Sequence, residues 1–529
     1  MRVITTTREK ACLAALVAVQ VLVILWAGRH ELSPDEARYA WAVSQSWGGL
    51  FAWLATDNHP PLYLAFLKCW ATPFGVSETM LRASNALWAP LMTIAFFRGC
   101  RNLLSAQAAL FATTLLCLNP LYLFICGIAK YYLAFMLVTF VATAQFQQII
   151  AALERDEPPT MGALARWGAV CALLLWTHYL GGILLFFFAG LLVVLSRRRR
   201  VARPMVALLV ACVSFAPWLW VLLGQLNEQL TPPDFSAKQY VMKAGIRVVY
   251  TAYAFLFGTT LELGRFVVVG VGCVAVLCAI TAFAVSARRQ GIDRGELASV
   301  MIIVAGGFFA ITGALLVMLV MLAGHPDLSM PERVSFALPH FVLLGAWMLS
   351  RTHNRGRQFA LMLYVVPCAV SLWHLLKWDE NNAWDYIIPW NRMEADLELA
   401  PPPRAIVFDS DSFGAEGWYY FSAHADDFIE VRAEREAGDL GFLTDRVSKM
   451  RSVVFVRGTR DATPAESLDM TESNLRKAFG PPQREIFHVT DSENLRKLKH
   501  LARRGTAEQT LEHKIKMQIF MTPKAAKSR

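Results

Sequence analysis

"ACLAALVAVQVLVILWAGRHELSPDEARYA", residues 11–40, passes from one kind of surroundings to another within a few residues. Residues 11–28 carry no charged side chain. At 1.5 Å per residue, a helix of that length crosses most of the ~30 Å hydrocarbon core of a bilayer. Residues 30–40 then place His30, Glu31, Asp35, Glu36 and Arg38 directly at its end. The basic residues Arg2, Arg8 and Lys10 precede the apolar run. A cleaved signal peptide begins in the same way, but "AGRHELS" lacks the small-x-small cleavage pattern. The expectation is therefore a retained span with a cytoplasmic N-terminus.

The rest of the chain repeats this theme. The 529 residues are 55% hydrophobic, with a mean hydropathy of +0.39. After a polar and aromatic loop at 28–82, apolar runs recur near 84–99, 106–124, 131–151, 164–180, 182–196, 204–224, 265–285, 298–323, 334–350 and 358–373. With the first, that makes about eleven transmembrane helices. Helices are required because unpaired backbone polar groups are too costly in lipid. Within the loop, "PPLYLAFLKCW" is amphipathic enough to lie along the membrane surface. The net charge of +10 need not signal nucleic acid. The linkers "FRGCRN", "SRRRRVAR", "SARRQGIDRGE" and "SRTHNRGRQ" are basic, as cytoplasmic linkers are, and "ALERDEPPT" is mixed. The opposite set comprises 28–82, "NPLYLFICGIAK", "HYLGG", 225–262 and "GHPDLSMPERV", and it holds His, Tyr, Pro and isolated charges. An odd number of spans puts the C-terminal part outside.

Composition changes near residue 374. "PPPRAIVFDS", "RSVVFVRG" and "IKMQIFMTPK" read as strands, and "TESNLRKAFG" and "SENLRKLKHLARRG" as helices opened by Thr or Ser. The expectation is a polytopic α-helical membrane domain at 1–373 and a small soluble extracytoplasmic α/β domain at 374–529. None of the ten cysteines lies beyond Cys368, so the tail has no disulfide framework and the cysteines read as small buried hydrophobes. There is no CxxC, P-loop, GxGxxG or HExxH, and no cofactor is expected.

"SPDEARYA" (33–40) reads as a helix start, with Ser33 as N-cap, Pro34 in the first turn and Glu36 closing an S-x-x-E capping box. Capping explains Glu36 but not Asp35, Arg38 and Tyr39, which share one helix face at i, i+3 and i+4. Asp35 and Arg38 could form a simple surface ion pair. Yet Trp41, Trp47 and Trp53 surround them at the membrane rim, where ionisable groups usually face a cavity and act there. In "DNHPPLY", Pro60 holds His59 extended. Lys130, the pair His178–Tyr179, and Glu332 with Arg333 occupy other outer linkers, where a snorkelling or anchoring role is the plainer reading of each. Together, Arg38, Arg82, Lys130 and Arg333 would make a cationic pocket around one base, Asp35, suited to a lipid-borne phosphate.

These pieces resemble, in order, the GT-C superfamily of membrane glycosyltransferases. The branch is that of the lipid A aminoarabinose transferases, the lipopolysaccharide-core galacturonosyltransferases and the protein O-mannosyltransferases. The carriers of the resemblance are "SPDEARYA" (D-E-x-R-Y-A), "NHPPLY", "FGVSETMLRASNAL" (G-x-S-E with a following Arg), "AKYYLAF" (A-R-P-Y-A-L), "THYLGG" and "ERVSFALPHFVLL" (R-Y-x-L-P-x-x-P). Lys130, Tyr131 and Val334 stand where the pattern has Arg, Pro and Tyr.

The resemblance implies an inverting transferase that moves a sugar from a polyprenyl-phosphate carrier to an envelope acceptor, whether lipopolysaccharide, lipid, glycan or protein. The setting is the outer face of a bacterial inner (plasma) membrane. Asp35 would be the catalytic acid-base group, and Arg38, His59, Lys130 and Arg333 the donor-phosphate contacts. Glu36, Tyr39, Arg82, His178 and Tyr179 would support them. No metal site is assigned, although a divalent ion held by Asp35, Glu36 and His59 stays open. A transporter or lipid flippase would also want many spans and a charged cavity, but its polar groups should lie near the midplane. Here the midspan regions are nearly free of charge. A non-catalytic assembly subunit would have no need of Asp35.

Overall fold

The computed structural model describes residues 6–196, 201–229, 248–261, 266–291, 294–321, 331–377, 390–409, 417–431, 446–447, 449–459, 466–489 and 514–521. The expected helix at 492–505 and parts of the linkers at 196–203, 225–262 and 324–334 lie outside the described residues. The chain divides into two compact units. The first is Met1–Arg29 with Gln45–Leu376, and the second is His30–Ser44 with Lys377–Arg529.

The first unit is helical. Thr6 caps α1 (Thr7–Ala27) through a full capping box with Glu9, which satisfies two donors that a helix start otherwise leaves open. The first loop folds into short helices: α2 (Pro34–Ser44, part of the second unit), α3 (Trp47–Thr56), α4 (Leu62–Phe74) and α5 (Glu78–Ala83). Next come α6 (Asn85–Arg101), α7 (Ala106–Cys117), α8 (Pro120–Cys126), α9 (Tyr132–Glu154), α10 (Met161–Thr177), α11 (Gly181–Ser196), α12 (Ala202–Ser214) and α13 (Ala216–Gln229). The unit continues with α14 (Val248–Phe257) and with α15 (Phe266–Gln290), α16 (Arg294–Met321), a 3-10 turn (Pro331–Ala337), α17 (Leu338–Ser350) and α18 (Asn354–Lys377).

Among the described residues, six helices are long and apolar enough to cross a membrane, or up to eight if each of two bent pairs counts as one span. The expected count was about eleven. The difference has two sources. The apolar runs at 106–124 and 204–224 are each broken, by 63° between α7 and α8 and by 59° between α12 and α13. Asn119 ends the first half and caps the second through Leu121 and Tyr122, with Pro120 at the new start. Pro217, near the start of α13, has no N–H to donate back towards α12. In addition, α6, with 17 residues and Arg98 and Arg101 in its last turn, is short, as are α10 and α11. Seventeen residues rise about 25 Å, less than the hydrocarbon core.

The helices pack through small residues and buried polar pairs, as membrane helices do. A Cβ on Gly99 of α6 would sit 2.7 Å from the Phe140 ring of α9, so that crossing needs glycine. Gln20 of α1 donates to the Thr93 hydroxyl of α6 at 2.8 Å in the buried interior. Phe146, Trp167 and Phe188 join α9, α10 and α11, with ring centroids 4.4–5.7 Å apart. Cys69, Cys212 and Cys273 are exposed on outward helix faces rather than buried, because apolar residues cover the outside of such helices as well as the inside.

The second unit carries a five-stranded mixed sheet of order β2-β1-β3-β5-β4. The strands are β1 (Arg404–Asp409), β2 (Asp427–Val431), β3 (Ser452–Thr459), β4 (Arg484–Val489) and β5 (Lys514–Met521). β1 runs parallel to β2 and β3, and β5 runs antiparallel to β3 and β4. Side chains alternate between faces. Ile406, Phe408, Val454, Val456, Met517 and Ile519 pack with Trp390 and Met393 of α19 (Trp390–Asp396) on one side. Val407, Val453, Phe455 and Phe520 pack with Leu475 of α20 (Glu466–Phe479) on the other. The three strands expected from sequence are β1, β3 and β5. The two not expected, "DFIEV" and "REIFHV", are the sheet edges, where charges interrupt the apolar signal. α20 begins at or before Glu466, so Thr471 lies inside it and does not open it.

Candidate functional site

Four linkers of the first unit meet around one histidine. α10 ends at His178, whose backbone is extended (φ −159°, ψ 139°) and whose N–H still bonds the Leu174 carbonyl. The Leu180 N–H donates to His178 Nδ1 at 3.1 Å. That assigns Nδ1 as the acceptor and places the proton of the neutral ring on Nε2. The ring keeps a little surface exposure but is densely surrounded. Its burial, and then the nearby charges of His59, Arg333 and Lys130, hold its pKa well below the usual value. His178 is therefore a neutral donor at neutral pH, in the field of Lys130 and Arg333 and beside the His59 ring.

Each neighbour is held by its own element. His59 follows α3, and its Nδ1 lies 2.7 Å from Asp57 Oδ2. Its ring is 5.5 Å from that of His178 and 5.0 Å from that of Tyr131. Tyr131 in turn lies 4.5 Å from His178, and Phe135 lies 5.1 Å from it. Lys130 is only 4% exposed. Its Nζ donates to the Tyr132 hydroxyl at 2.9 Å and sits 4.8 Å above that ring. The loop bearing it is fixed by Asn85, which donates to the carbonyls of Cys126 (3.0 Å) and Ile128 (2.6 Å). Arg333 enters on the 3-10 turn before α17.

A second network ties two of these linkers together. Trp218 donates to the Tyr179 hydroxyl at 2.9 Å, and Tyr179 donates to Gln225 Oε1 at 2.7 Å. Gln225 then donates to the Leu54 carbonyl at 2.9 Å. Burial pushes Tyr179 up to about 12, against its two hydrogen bonds and with help from the charge of Asp57. Tyr179 is thus a protonated donor, and its network joins the His178 turn to the end of α3 beside Asp57.

Arg82 is fully buried and donates to the Ala27 carbonyl, while Thr79 donates to the Gly28 carbonyl at 2.7 Å. These contacts close the C-terminal end of α1, where helix carbonyls lack partners. Glu332 is buried beside Arg333 in sequence.

The remaining expected residues lie on α2, in the second unit. The Ser33 N–H and hydroxyl both donate to Glu36 Oε2 at 3.0 Å, and the Glu36 N–H returns to Ser33 Oγ at 3.4 Å. The capping box is formed, and Glu36 is fully buried in it. Asp35 is partly exposed, Arg38 exposed and Tyr39 buried. Among the described residues, no group of three or more His, Cys, Asp or Glu is arranged to hold a metal ion.

Asp57, Asn85 and Gln225 carried no role in the sequence reading, and Tyr131 entered it only as a departure from the A-R-P-Y-A-L pattern. Only Asp57 had a local signal, as the first residue of "DNHPPLY". What the first-unit cluster brings together chemically is two cationic side chains, Lys130 and Arg333, a neutral imidazole donor at His178, the His59 ring and an aromatic wall.

No family model matches the chain. No characterised protein matches it in sequence. In structure it is similar to ArnT from Cupriavidus metallidurans bound to undecaprenyl phosphate, with a TM-score of 0.55 and 12% identity over 95% of this chain and 97% of that one. It is also similar to the apo state of ArnT from the same organism, with a TM-score of 0.53 and 13% identity over 97% and 98% of the two chains. At such identity the likeness is one of fold.

Proposed function

From the fold shared with ArnT, a GT-C protein, we propose that this chain is an inverting glycosyltransferase that moves a sugar from a polyprenyl-phosphate carrier to an envelope acceptor. The observation that carries the reading is that the His59 ring lies 5.5 Å from His178, with Lys130 and Arg333 near enough for their charges to act on the same ring. These residues come from linkers far apart in sequence, and a single-charge anion on a lipid tail is the ligand such a cluster suits. That the similar structure holds undecaprenyl phosphate supports the same ligand class.

In the proposed reaction, Asp35 takes the proton of the acceptor hydroxyl. The acceptor oxygen forms a bond to the anomeric carbon as the bond from that carbon to the phosphate oxygen breaks, with inversion. The electron pair leaves with the polyprenyl phosphate. Arg38, His59, Lys130 and Arg333 offset the charge that develops there, with the His178 donor beside them. Glu36, Tyr39 and Tyr179 hold the supporting positions, and Arg82 fixes α1. The proposed orientation has the N-terminus in the cytoplasm of a bacterial inner membrane, the spans within 1–373, and 28–82 and 374–529 outside it.

The test is transfer from a panel of polyprenyl-phosphate sugars by the protein in detergent, beside mass spectrometry of envelope glycolipids and glycans from a deletion strain. Loss of one glycosylated species in the strain, and its restoration by the purified protein, supports the reading. An unchanged envelope with no transfer from any donor overturns it. Alkaline phosphatase fusions test the orientation, which fails if a fusion at residue 400 is inactive.

A further inference from the structure

The second unit combines two stretches nearly 350 residues apart, His30–Ser44 and Lys377–Arg529. One hydrogen bond among the described residues links them. The Leu32 N–H donates to the hydroxyl of Tyr420 at 2.7 Å. Both residues are buried, at 2% and 4% exposure. Leu32 is the residue just before the N-cap of α2, and Asp35 is three residues further on.

Tyr420 is a rigid anchor. Its ring stacks on Trp390 at 5.7 Å and 8°, and it belongs to the core formed by Ile406, Phe408, Val454 and Val456 of the sheet. Trp390 is itself fully buried and packs edge-on against Phe421 at 5.8 Å. The hydroxyl is therefore fixed relative to β1 and β3, not carried on a mobile side chain. The next amide, that of Ser33, is taken by Glu36. Two successive N–H groups at the start of α2 are thus held by two side chains, one local and one from the far end of the chain. A loop entering a helix in this way has little freedom in its direction.

We propose that Tyr420 is a positioning residue for Asp35, and that the C-terminal α/β domain works as part of the catalytic unit by setting the entry of α2. The proposal deepens the transferase reading and rests on Asp35 as the base. A base must lie within hydrogen-bond reach of the proton it takes, and a misplacement of about 1 Å can cost about 100-fold in rate.

The experiment is Tyr420→Phe in the full-length protein, which removes the hydroxyl and keeps the stacked ring. Amide hydrogen exchange at residues 30–36 should quicken, while the sheet strands keep their protection. In the transfer assay kcat should fall by about 10- to 100-fold, with the donor KM unchanged. In an Asp35→Asn background, Tyr420→Phe should have almost no further effect, because residues acting as a unit are not additive. A merely structural role would lower the rate in both backgrounds. Unchanged exchange at 30–36, or an additive loss in the double variant, overturns the positioning role. Full transfer by Asp35→Asn alone overturns the base assignment and the catalytic part of this proposal with it, a result separate from the exchange measurement.

Discussion

Asp57 and His59 form a pair across a two-residue turn, with Asp57 Oδ2 2.7 Å from His59 Nδ1. Asp57 is the C-cap of α3, its own N–H bonded to the Trp53 carbonyl. Pro60 follows His59 and is buried. The ring is therefore oriented by a carboxylate whose backbone is itself fixed, and it faces His178 and Tyr131 in that orientation.

Removing the orienting charge should weaken the site without destroying it. Asp57→Asn is expected to raise the donor KM by about 10-fold, in keeping with the loss of one charge-assisted hydrogen bond. His59→Lys, which places a cation there, should retain more donor affinity than His59→Ala. Binding of undecaprenyl phosphate to the purified protein would measure all three, and equal affinity for His59→Lys and His59→Ala would refute a role for the charge.

In the proposed reaction Asp35 is the base, whereas its neighbour Glu36 closes the capping box with Ser33. Asp35→Asn keeps size but cannot take a proton, so transfer should fall by about 10²–10⁴-fold. Glu36→Gln keeps an acceptor for the Ser33 N–H and hydroxyl, because glutamine also serves in a capping box. Its loss should be modest. The opposite order, with Glu36→Gln inactive and Asp35→Asn near normal, would assign the base to the wrong neighbour.

Gln225 is buried and bonds both Tyr179 and the Leu54 carbonyl. Gln225→Leu has nearly the same volume and leaves both partners unsatisfied. A stability loss of about 1–3 kcal/mol follows, the cost of one buried group without its bond. A thermal melt in detergent reads this, and donor affinity should fall with it because the network ends beside Asp57. An unchanged melting temperature would mean that the network is not a brace.

Glu472 sets an acid limit for the second unit. Burial raises its pKa, but hydrogen bonds from Gln518, Arg476 and Lys516, and the charge of Lys516, outweigh this and lower it from 4.5 to about 2. A carboxylate with a depressed folded pKa stabilises fully above its unfolded value and loses that contribution as pH falls through the folded one. The domain should therefore weaken between about pH 4.5 and pH 2, as followed by tryptophan fluorescence. Glu472→Gln should flatten that stretch of the curve. A wild-type signal that does not change across the window would contradict the role.

Much of this architecture was legible because it is local. Apolar runs specify helices wherever they are long enough, since the backbone must pair internally in lipid. The Ser33–Glu36 cap was readable because both partners lie within one turn. Strands β1, β3 and β5 were readable because they are central, β1 and β3 apolar on both faces and β5 through Met517, Ile519 and Phe520. The breaks at Asn119–Pro120 and Phe215–Pro217 were not weighed, although proline marks both.

What tertiary structure alone decided is which distant pieces share a partner. By itself the sequence determined a helical membrane chain with a polar α/β tail, a capped helix after the first span, and a set of linkers carrying His, Tyr and isolated charges. It did not determine that α2 belongs with residues 377–529 through Tyr420, nor that Arg82 closes α1 at Ala27. Nor did it show that His59 packs against His178, within the field of Lys130 and Arg333. Periodicity and capping depend on residues three or four apart, so they are written along the chain. A hydrogen bond over 388 positions, or two histidine rings 5.5 Å apart from linkers over 100 residues apart, depends on how helices cross and where loops return. That is settled only when every buried polar group has found its partner at once.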